Sequence, residues 1–544
     1  MGPFYFIAAL GAGVLSHLAF FRVGEHHLHG MQYALTTIAA CIVSIYVPHY
    51  FFHTSISTSA SSTLALASCY FTGLYASLII FRIFFHPLKN FPGPLGCKIS
   101  SAWFATYLLK LDAFRQLQKL HQKNGPFLRI GSNDLSIAHP QAIQAVYGLG
   151  TRCRKAAWYD LSYPMVSLQT TRDNALHGRR RRLWSSAFGE RNLRDYEKRT
   201  SHYRELLINA IEKSESRPMD VAKWFNLFTF DVMGDLAFGN SFQMLETSKE
   251  HRAIKLLNSG LTGLGFKLPM WFFRVMIGIP GLARDWWGFM KYCVQQLENR
   301  MKNPKTKVDT PDIMSCLLKP SRNKRPTGLD RTLLEGDSQL IVVAGSDTTS
   351  TTLTNIFRYL AEQPDQVDHL RAEIDKLPRS ELGDYVPTDL ADLKHLNGTV
   401  NESLRLYPPV PTALPRLTPL EGLTIDGTFI PGNVTVYCPQ YVLGRSPECY
   451  IRPDELIPER WYSLPELLKD DAGFAPFSAG HYGCIAKPLA LLNVRGTVAR
   501  IVADYDVQVA PGQSLAEYDL GMTEHFTLAP PPLNLCFTKR VRSE

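Results

Sequence analysis

A glycine-punctuated loop near the C-terminus carries the side chain with the clearest chemistry, Cys484. The loop runs from Phe477 through Gly480 and Gly483 to this cysteine, and an apolar pattern typical of a helix follows. Unpaired N–H groups and the positive dipole end at a helix N-terminus stabilise a thiolate over a thiol. The glycines allow the backbone to turn sharply and a flat group to approach. We interpret Cys484 as a metal ligand; the alternative is a small buried hydrophobe, as most free cysteines are.

A second chemical pattern lies inside a long apolar stretch, residues 333–362, which predicts a single helix. Its centre, residues 344–352, is a run of Gly, Ser, Asp and Thr that form helices poorly. Side chains of this kind compete with the backbone, so the run predicts a local opening of the helix, and such distortions often mark functional sites. Asp347 and Thr348 lie in the middle of the run. The alternative, an exposed Ser/Thr stripe, is disfavoured because apolar residues enclose it.

Two pairs of charged residues have helical spacing. His177 and Arg181 are four residues apart and therefore share one face of a helix. The other arginines of the run 179–182 are expected on a solvated basic face. Glu402 and Arg405 are three residues apart, a spacing that usually gives a weak surface ion pair.

The loop around the cysteine resembles the haem-binding loop of the cytochrome P450 family. Phe477, Gly480 and Cys484 match its Phe-x-x-Gly-x-x-x-Cys pattern, in which the cysteine thiolate is the axial ligand of haem b. Members usually place Arg or His two residues before the cysteine, to meet a haem propionate. Here that position is Tyr482, which can form a hydrogen bond but carries no charge, and His481 is expected to compensate.

Three further motifs and one additional arginine lie upstream of this loop, in the order of this family. Asp347 and Thr348 take the places of the acid and the alcohol that manage protons during oxygen activation. His177 and Arg181 occupy the positions of a Trp-x-x-x-Arg motif that binds a propionate. Arg416 lies where members place another propionate partner. The resemblance therefore implies catalytic roles for the first pair and cofactor-binding roles for the others.

The third motif concerns the fold. Glu402 and Arg405 match the Glu-x-x-Arg motif of the family, and Arg460 completes a triad that ties this helix to the haem loop. The resemblance covers residues 91–544 and implies a mainly α fold with small β-sheets. Its catalytic domain would begin at a proline-rich hinge.

Bulk composition excludes several classes of protein. The chain has 544 residues, of which 45% are hydrophobic and 20% charged, as in ordinary globular or membrane-attached proteins. The formal net charge is +9, but the sequence has no extended basic stripe with interleaved aromatic residues, so nucleic-acid binding is not expected. The ten cysteines form no Cys-x-x-Cys pair, which favours a reducing compartment and gives no zinc-site pattern.

The N-terminal region predicts a membrane anchor, residues 1–90. Three apolar runs of nearly bilayer-spanning length are almost free of charge, at 4–21, 31–52 and 63–85. Arg22 lies in the first connection, the second has no Lys or Arg, and Arg82 and Lys89 flank the exit of the third run. This pattern places the N-terminus in the lumen and the catalytic domain in the cytosol. Resemblance to microsomal members implies a multi-pass protein of the endoplasmic reticulum.

The resemblance implies a haem-thiolate monooxygenase that inserts one oxygen atom from O2 into an apolar organic substrate. Electrons would come from NADPH through cytochrome P450 reductase, with cytochrome b5 as a second donor, and the sequence style resembles fungal members of secondary metabolism or detoxification. One alternative is a haem-thiolate isomerase or synthase without a reductase, which retention of Asp347 and Thr348 disfavours. Another is a non-catalytic haem-binding membrane protein. Substrate contacts are expected from residues 162–170 and 266–282, and the latter segment either touches the membrane surface or packs as ordinary core.

Overall fold

The computed structural model describes residues 2–302, 312–319 and 326–541. Internal contacts divide the chain into two units. The first comprises Met1–Thr106, Leu128–Leu135 and Lys267–Arg284. The second comprises Tyr107–Phe127, Ser136–Phe266 and Asp285–Glu544. The first unit is thus larger than the predicted anchor, because two later segments contact the N-terminal helices.

Three helices in the first unit are long and apolar enough to cross a membrane, and little of their surface is buried. They span Pro3–Phe21, Gly30–Phe52 and Ile56–Phe85. The first and third end in π-helical turns, at His17–Phe21 and Phe81–Phe85. The prediction of three N-terminal helices of spanning length is confirmed, although the third begins before the apolar run that indicated it.

Glycines allow the first and third of these helices to pack closely. A side chain at Gly13 would lie 2.0 Å from the carbonyl oxygen of Tyr70. A side chain at Gly73 would likewise lie 2.1 Å from the carbonyl oxygen of Leu10. Small residues at such contacts permit close backbone approach, which drives association where lipid removes the hydrophobic advantage.

A short apolar helix, Met270–Gly278, also belongs to the first unit. It packs against the start of the second spanning helix, where Gly30 leaves room for Val275, whose Cγ2 would lie 3.1 Å from a Cβ at that position. Trp271 and Phe272 remain exposed. The contact with a helix of spanning length, together with these exposed rings, supports the membrane-surface interpretation of this segment over plain core packing.

The second unit is mainly helical. Its helices of seven or more residues are Ala113–Asn124, Gln141–Tyr147, Asn174–Ser185, Glu190–Lys213, Val221–Phe238, Arg252–Thr262, Gly328–Glu362, Pro364–Ile374, Lys394–Leu406, Lys487–Asp504 and Leu515–Gly521, with Arg284–Lys302 beginning at its boundary. Shorter helices are Met244–Thr247, Ile313–Leu318, Pro387–Asp392 and Gln440–Leu443. Turns of 3-10 helix include Ala157–Asp160, Pro458–Trp461 and Gly480–Tyr482.

The helix Gly328–Glu362 runs through the centre of this unit and packs on Val221–Phe238. It begins five residues before the predicted start and ends at the predicted residue. The predicted local opening is wrong, because α-helix continues across residues 344–352. Hydroxyl groups in the run donate to carbonyl oxygens four residues earlier instead of breaking the ladder. These bonds are Ser346 to Val342, Thr348 to Ala344, Thr349 to Gly345 and Thr352 to Thr348.

Small antiparallel sheets complete the second unit. The strand Arg416–Leu417 pairs with Arg154–Lys155 on one side and Thr435–Tyr437 on the other. A second sheet pairs Asn534–Lys539 with Met219–Asp220 and Tyr505–Val509, and a two-residue pair joins Thr523–Glu524 and Leu528–Ala529. A hairpin forms from Leu423–Ile425 and Thr428–Ile430. The mainly α fold with small sheets is therefore confirmed.

Candidate active site

One cavity in the second unit gathers most of the predicted site residues. Its volume is about 290 Å³, near the lower end of the ~300–1,000 Å³ of common ligand pockets, and its walls are mainly apolar. The predicted residues on its wall are His177, Arg181, Thr348, Arg416, Phe477, Tyr482 and Cys484. Asp347, Gly480 and His481 do not line it.

Cys484 presents its sulfur to this cavity just before the helix Lys487–Asp504. Its N–H donates to the carbonyl oxygen of Phe477 at 2.8 Å, which closes the loop. Burial raises the pKa of the thiol, although the amides of Ala486 and Lys487 and the charge of Arg181 oppose this shift. The helix N-terminus thus offers the predicted hydrogen-bond donors, but their effect on the pKa of the thiol is smaller than that of desolvation. A metal cation would have to supply the remaining stabilisation of a thiolate.

The two glycines of the loop have different roles. Gly480 has a φ of +60°, and a side chain there would meet the carbonyl oxygen of Tyr147 at 2.3 Å. Gly483 has an ordinary φ of −58°, so the prediction that it needs unusual backbone freedom is wrong. Its carbonyl oxygen instead accepts a hydrogen bond from Arg181 Nη1 at 2.7 Å. Arg181 therefore braces the loop next to the cysteine.

A cluster of cations and tyrosines lines one part of the cavity. Lys155 lies opposite Arg416 in the strand register, and both are at most 2% exposed. Arg416 Nη1 donates to the hydroxyl of Tyr159 at 2.5 Å, and its guanidinium lies 4.9 Å from the ring of Tyr482. The ammonium of Lys155 lies 4.7 Å from the same ring. Tyr482 thus contacts both cations through its π face, which is how an uncharged residue is accommodated at this position.

No carboxylate among the described residues pairs with these buried cations, and the ammonium of Lys155 instead donates to the carbonyl oxygens of Leu168 and Gln169. Burial and then the charges of Arg416 and Arg181 lower the pKa of Lys155 well below its ordinary value. Arg416 Nε is buried and has no hydrogen-bond partner within the described part of the chain. Isolated buried charges are costly unless they are paired. The site therefore fits a group with carboxylates at one edge, an apolar body and a metal that accepts a thiolate.

Sequence reasoning missed Lys155, together with Tyr159. Lys155 belongs to a strand of two residues, which is too short to show any alternating pattern. Only its pairing with the strand that contains Arg416 brings it to the cavity. A buried lysine in this position had no signal in the sequence.

His481 does not line the cavity but contacts another predicted residue. Its Nε2 lies 3.0 Å from Nδ1 of His177, and the ring centroids are 4.7 Å apart. Burial, followed by the charge of Lys155, lowers the pKa of His177 to about 3, so this side chain is neutral at physiological pH. His481 therefore supports His177, and Lys155 rather than His481 supplies a cation beside Tyr482.

A buried ion pair positions the helix Asn174–Ser185, which carries His177 and Arg181. Arg180 Nε donates to Asp337 Oδ2 at 2.6 Å, and the indole of Trp184 donates to the same oxygen at 2.8 Å. The expectation that every other arginine of this run is solvated is therefore wrong for Arg180. Because Asp337 lies on the helix Gly328–Glu362, this pair ties two walls of the cavity together.

The triad predicted from sequence is assembled and buried. Arg405 Nη2 and Arg460 Nε donate to Glu402 Oε1 at 2.7 and 3.1 Å. The indole of Trp461 donates to Glu402 Oε2 at 2.9 Å. All three charged side chains are fully buried, so the alternative of a weak surface pair is wrong. Removing one member would leave a buried charge unpaired, which costs about 3–5 kcal/mol.

Thr348 and Asp347 face different surroundings. Thr348 lines the cavity, and its hydroxyl donates to the carbonyl oxygen of Ala344 at 2.9 Å. Its proton is therefore committed to the backbone, and the lone pairs of Oγ1 remain for a donor in the cavity. Asp347 forms a side-chain hydrogen bond with Asn226 away from the wall, and burial raises its pKa to about 7. A carboxyl group with this pKa can both hold and release a proton near neutrality.

Asp347→Asn is expected to flatten the dependence of stability on pH. A carboxyl group whose pKa is raised on folding contributes stability that is complete below about pH 4 and is lost as the pH rises through about 7. Relative to the variant, the wild type should lose at most about 1.4 kcal/mol of unfolding free energy per pH unit in this window. Thermal unfolding of both proteins across the window measures the difference, and parallel curves would contradict the assignment.

The fold and the cavity define a mainly helical protein with a mostly apolar cavity beside a cysteine. Comparisons with known proteins agree. The sequence model described as cytochrome P450 matches residues 97–537. The chain therefore belongs to the cytochrome P450 family, and it is an enzyme of the monooxygenase class.

Individual relatives extend over nearly the whole chain. Cytochrome P450 monooxygenase notG' of Aspergillus versicolor is 42% identical, with 97% of each chain covered. Tryprostatin B 6-hydroxylase of Aspergillus fumigatus is also 42% identical, with 97% of this chain and 95% of the relative covered. The crystal structure of the cytochrome P450DA haem domain matches with a TM-score of 0.67 at 18% identity, covering 80% of this chain and 95% of that domain. This last likeness shows the fold, and the family implies haem as the cofactor.

Proposed function

We propose that this protein inserts one oxygen atom from O2 into an apolar organic substrate of fungal secondary metabolism. Haem b would be held through Cys484, and the electrons would come from NADPH through cytochrome P450 reductase, with cytochrome b5 as a second donor. The observation that carries the proposal is the cavity itself, which combines the sulfur of Cys484, the buried cations Arg416 and Lys155 and the hydroxyl of Thr348. A haem bound through a thiolate supplies oxygen activation, because the thiolate favours cleavage of the O–O bond.

The side chains divide the task of holding the cofactor. Cys484 would bind the haem iron through its sulfur. Arg416 and Lys155 would pair with the propionates, since both are buried beside Tyr482 and the charged neighbours that shift the pKa of Lys155 are cations. Arg181 would contribute a further positive charge while its hydrogen bond to the carbonyl oxygen of Gly483 fixes the loop.

Proton control falls to the centre of the long helix. Thr348 Oγ1 can accept a hydrogen bond in the cavity, because its own proton is donated to Ala344. It would therefore hold a donor, such as a water molecule, in a fixed place. Asp347, with a pKa of about 7, would store the proton one residue away and would have to leave Asn226 to deliver it. The pair would thus determine where protons arrive without binding the cofactor.

Membrane attachment fits the proposed setting. The three spanning helices would form the anchor, residues 1–90, and the domain 91–544 would face the cytosol from the endoplasmic reticulum. The charge pattern of the connections, with Arg22 before the second helix and Arg82 and Lys89 after the third, supports this orientation. The exposed rings of Trp271 and Phe272 would rest in the lipid interface.

The substrate class follows from the walls and the relatives. Leu168, within the predicted contact stretch, lines the cavity together with the apolar side chains of Phe188, Leu340 and Phe526. One relative is a tryprostatin B 6-hydroxylase. Tryprostatin B is therefore the first compound to test, in a screen for substrates that shift the optical spectrum of the bound haem.

Isotope labelling tests the reaction. We expect turnover of such a substrate under ¹⁸O2, with NADPH and reductase, to give a product that gains a single labelled oxygen atom. Turnover without NADPH, or a product without label, would refute oxygen insertion and favour the isomerase or synthase. Omission of the reductase is the matched control, since the proposed reaction should then stop.

A further inference from the structure

A group of possible metal ligands lies outside the cavity. We propose that His369, His395 and Glu459 form a binding site for one transition-metal cation of the Zn²⁺ type. One nitrogen of each imidazole and one carboxylate oxygen lie within 4.8 Å of one another. The three residues lie on Pro364–Ile374, Lys394–Leu406 and Pro458–Trp461. The site would therefore join three separate elements of the second unit.

The distances within the group are close to those of a tetrahedral site. Glu459 Oε1 lies 3.3 Å from His369 Nδ1 and 3.8 Å from His395 Nδ1. Ligands about 2.0–2.1 Å from a tetrahedral zinc ion are about 3.3–3.4 Å apart. The imidazole planes are perpendicular, with centroids 5.2 Å apart. A closer approach of the His395 nitrogen to the other two ligands would complete the geometry.

Two buried polar atoms around the group have no protein partner. Nε2 of His395, a residue that is only 2% exposed, forms no hydrogen bond among the described residues. Oε1 of Gln366 is also buried and has no hydrogen-bond partner among the described residues. The amide nitrogen of the same side chain lies 3.5 Å from Glu459 Oε1. Buried polar atoms normally find partners, and a flip of the His395 ring would turn its unpartnered Nε2 toward His369 and Glu459.

Tyr462 decides which nitrogen of His395 is available. Its hydroxyl lies 3.0 Å from Nδ1. For Nδ1 to bind the metal, the metal must displace this hydroxyl. For Nε2 to bind it, the ring must flip so that Nε2 faces His369 and Glu459. After the flip, Tyr462 would lie beside the other nitrogen and orient the ring, as outer partners of ligating histidines do.

The donor set selects the metal. Two imidazoles and one carboxylate match zinc sites that keep a fourth position for water, whereas Mg²⁺ and Ca²⁺ prefer oxygen ligands. The expected effect is structural, because His395 begins the helix of Glu402 and Arg405, and Glu459 precedes Arg460. A bound cation would strengthen the support of the cysteine loop without touching the cavity.

Zinc binding can be measured without turnover. The full-length, haem-loaded chain, free of a histidine tag and treated with chelator, would be dialysed against micromolar Zn²⁺ and its metal content determined. We expect the wild type to bind one equivalent of zinc. His369→Ala and Glu459→Gln should bind zinc at least about 10-fold more weakly and therefore lose this equivalent on dialysis. Zn²⁺ should raise the unfolding temperature of the wild type but not of these two variants, and Mg²⁺ should raise it in none of them.

The control is His202→Ala, which removes another exposed histidine, on the helix Glu190–Lys213. It should keep the full zinc content. Equal zinc binding by wild type and His369→Ala, or none by the wild type, would overturn the proposal. If Glu459→Gln fails to fold, His369→Ala still decides, because this side chain is 56% exposed and its loss should not disturb packing.

Discussion

Replacing Cys484 with serine is expected to abolish product formation, lowering it by about 100-fold or more, and to remove the thiolate signature from the spectrum of the reduced carbon-monoxide complex. The sulfur is the soft ligand that the cavity offers beside the N-terminus of Lys487–Asp504. A serine hydroxyl does not ionise near neutral pH and is a hard ligand, so it cannot donate electron density in the same way. Haem content and the spectrum are measured together.

The matched control for this variant is Cys536→Ser. Cys536 lies on the strand Asn534–Lys539, does not line the cavity and is only partly buried. It should keep both the signature and the activity. Survival of the thiolate signature in Cys484→Ser would refute the ligand assignment, and the insertion of the membrane helices should be unchanged in either variant.

Thr348→Ala is expected to separate NADPH consumption from product formation. The variant should still bind haem and substrate, because its hydroxyl contacts neither the sulfur nor the cation cluster in this structure. It loses the acceptor that fixes a proton donor in the cavity. Product should fall by about 10- to 100-fold while NADPH consumption continues and hydrogen peroxide accumulates, if a positioned proton donor has its usual value.

Thr348→Ser is the conservative control, since it keeps the hydroxyl and its bond to the carbonyl oxygen of Ala344. We expect it to restore most of the coupling between NADPH and product. NADPH, peroxide and product should be counted in the same reactions. Unchanged coupling in Thr348→Ala would contradict the role assigned to this residue, and equal losses in both variants would indicate disturbed packing rather than a lost hydrogen bond.

Local patterns in the sequence were sufficient for the class of fold and for several residues of the site. Three long apolar runs predict three helices, because a segment without charge must be helical to satisfy its backbone in lipid. Local sequence patterns also revealed the cysteine loop, the long helix around Asp347 and the spacing of Glu402 and Arg405. Each depends on residues that are neighbours along the chain.

Contacts between distant segments were decided only by the tertiary structure. Lys155 reaches the cavity because its two-residue strand pairs with the strand that contains Arg416. A strand of two residues is too short to show a periodic pattern in the sequence. The burial of Arg180 is accommodated because Asp337, 157 residues later, accepts a hydrogen bond from its guanidinium. The hydroxyl bonds that accompany the continuous helix at Thr348 are likewise not predicted by propensity alone. Sequence patterns therefore identified which side chains could do chemistry. Burial and pairing across the fold determined which of these side chains face the cavity and which hold its walls. The reason is that the desolvation and the electrostatic surroundings of a side chain depend on neighbours that are remote in the chain.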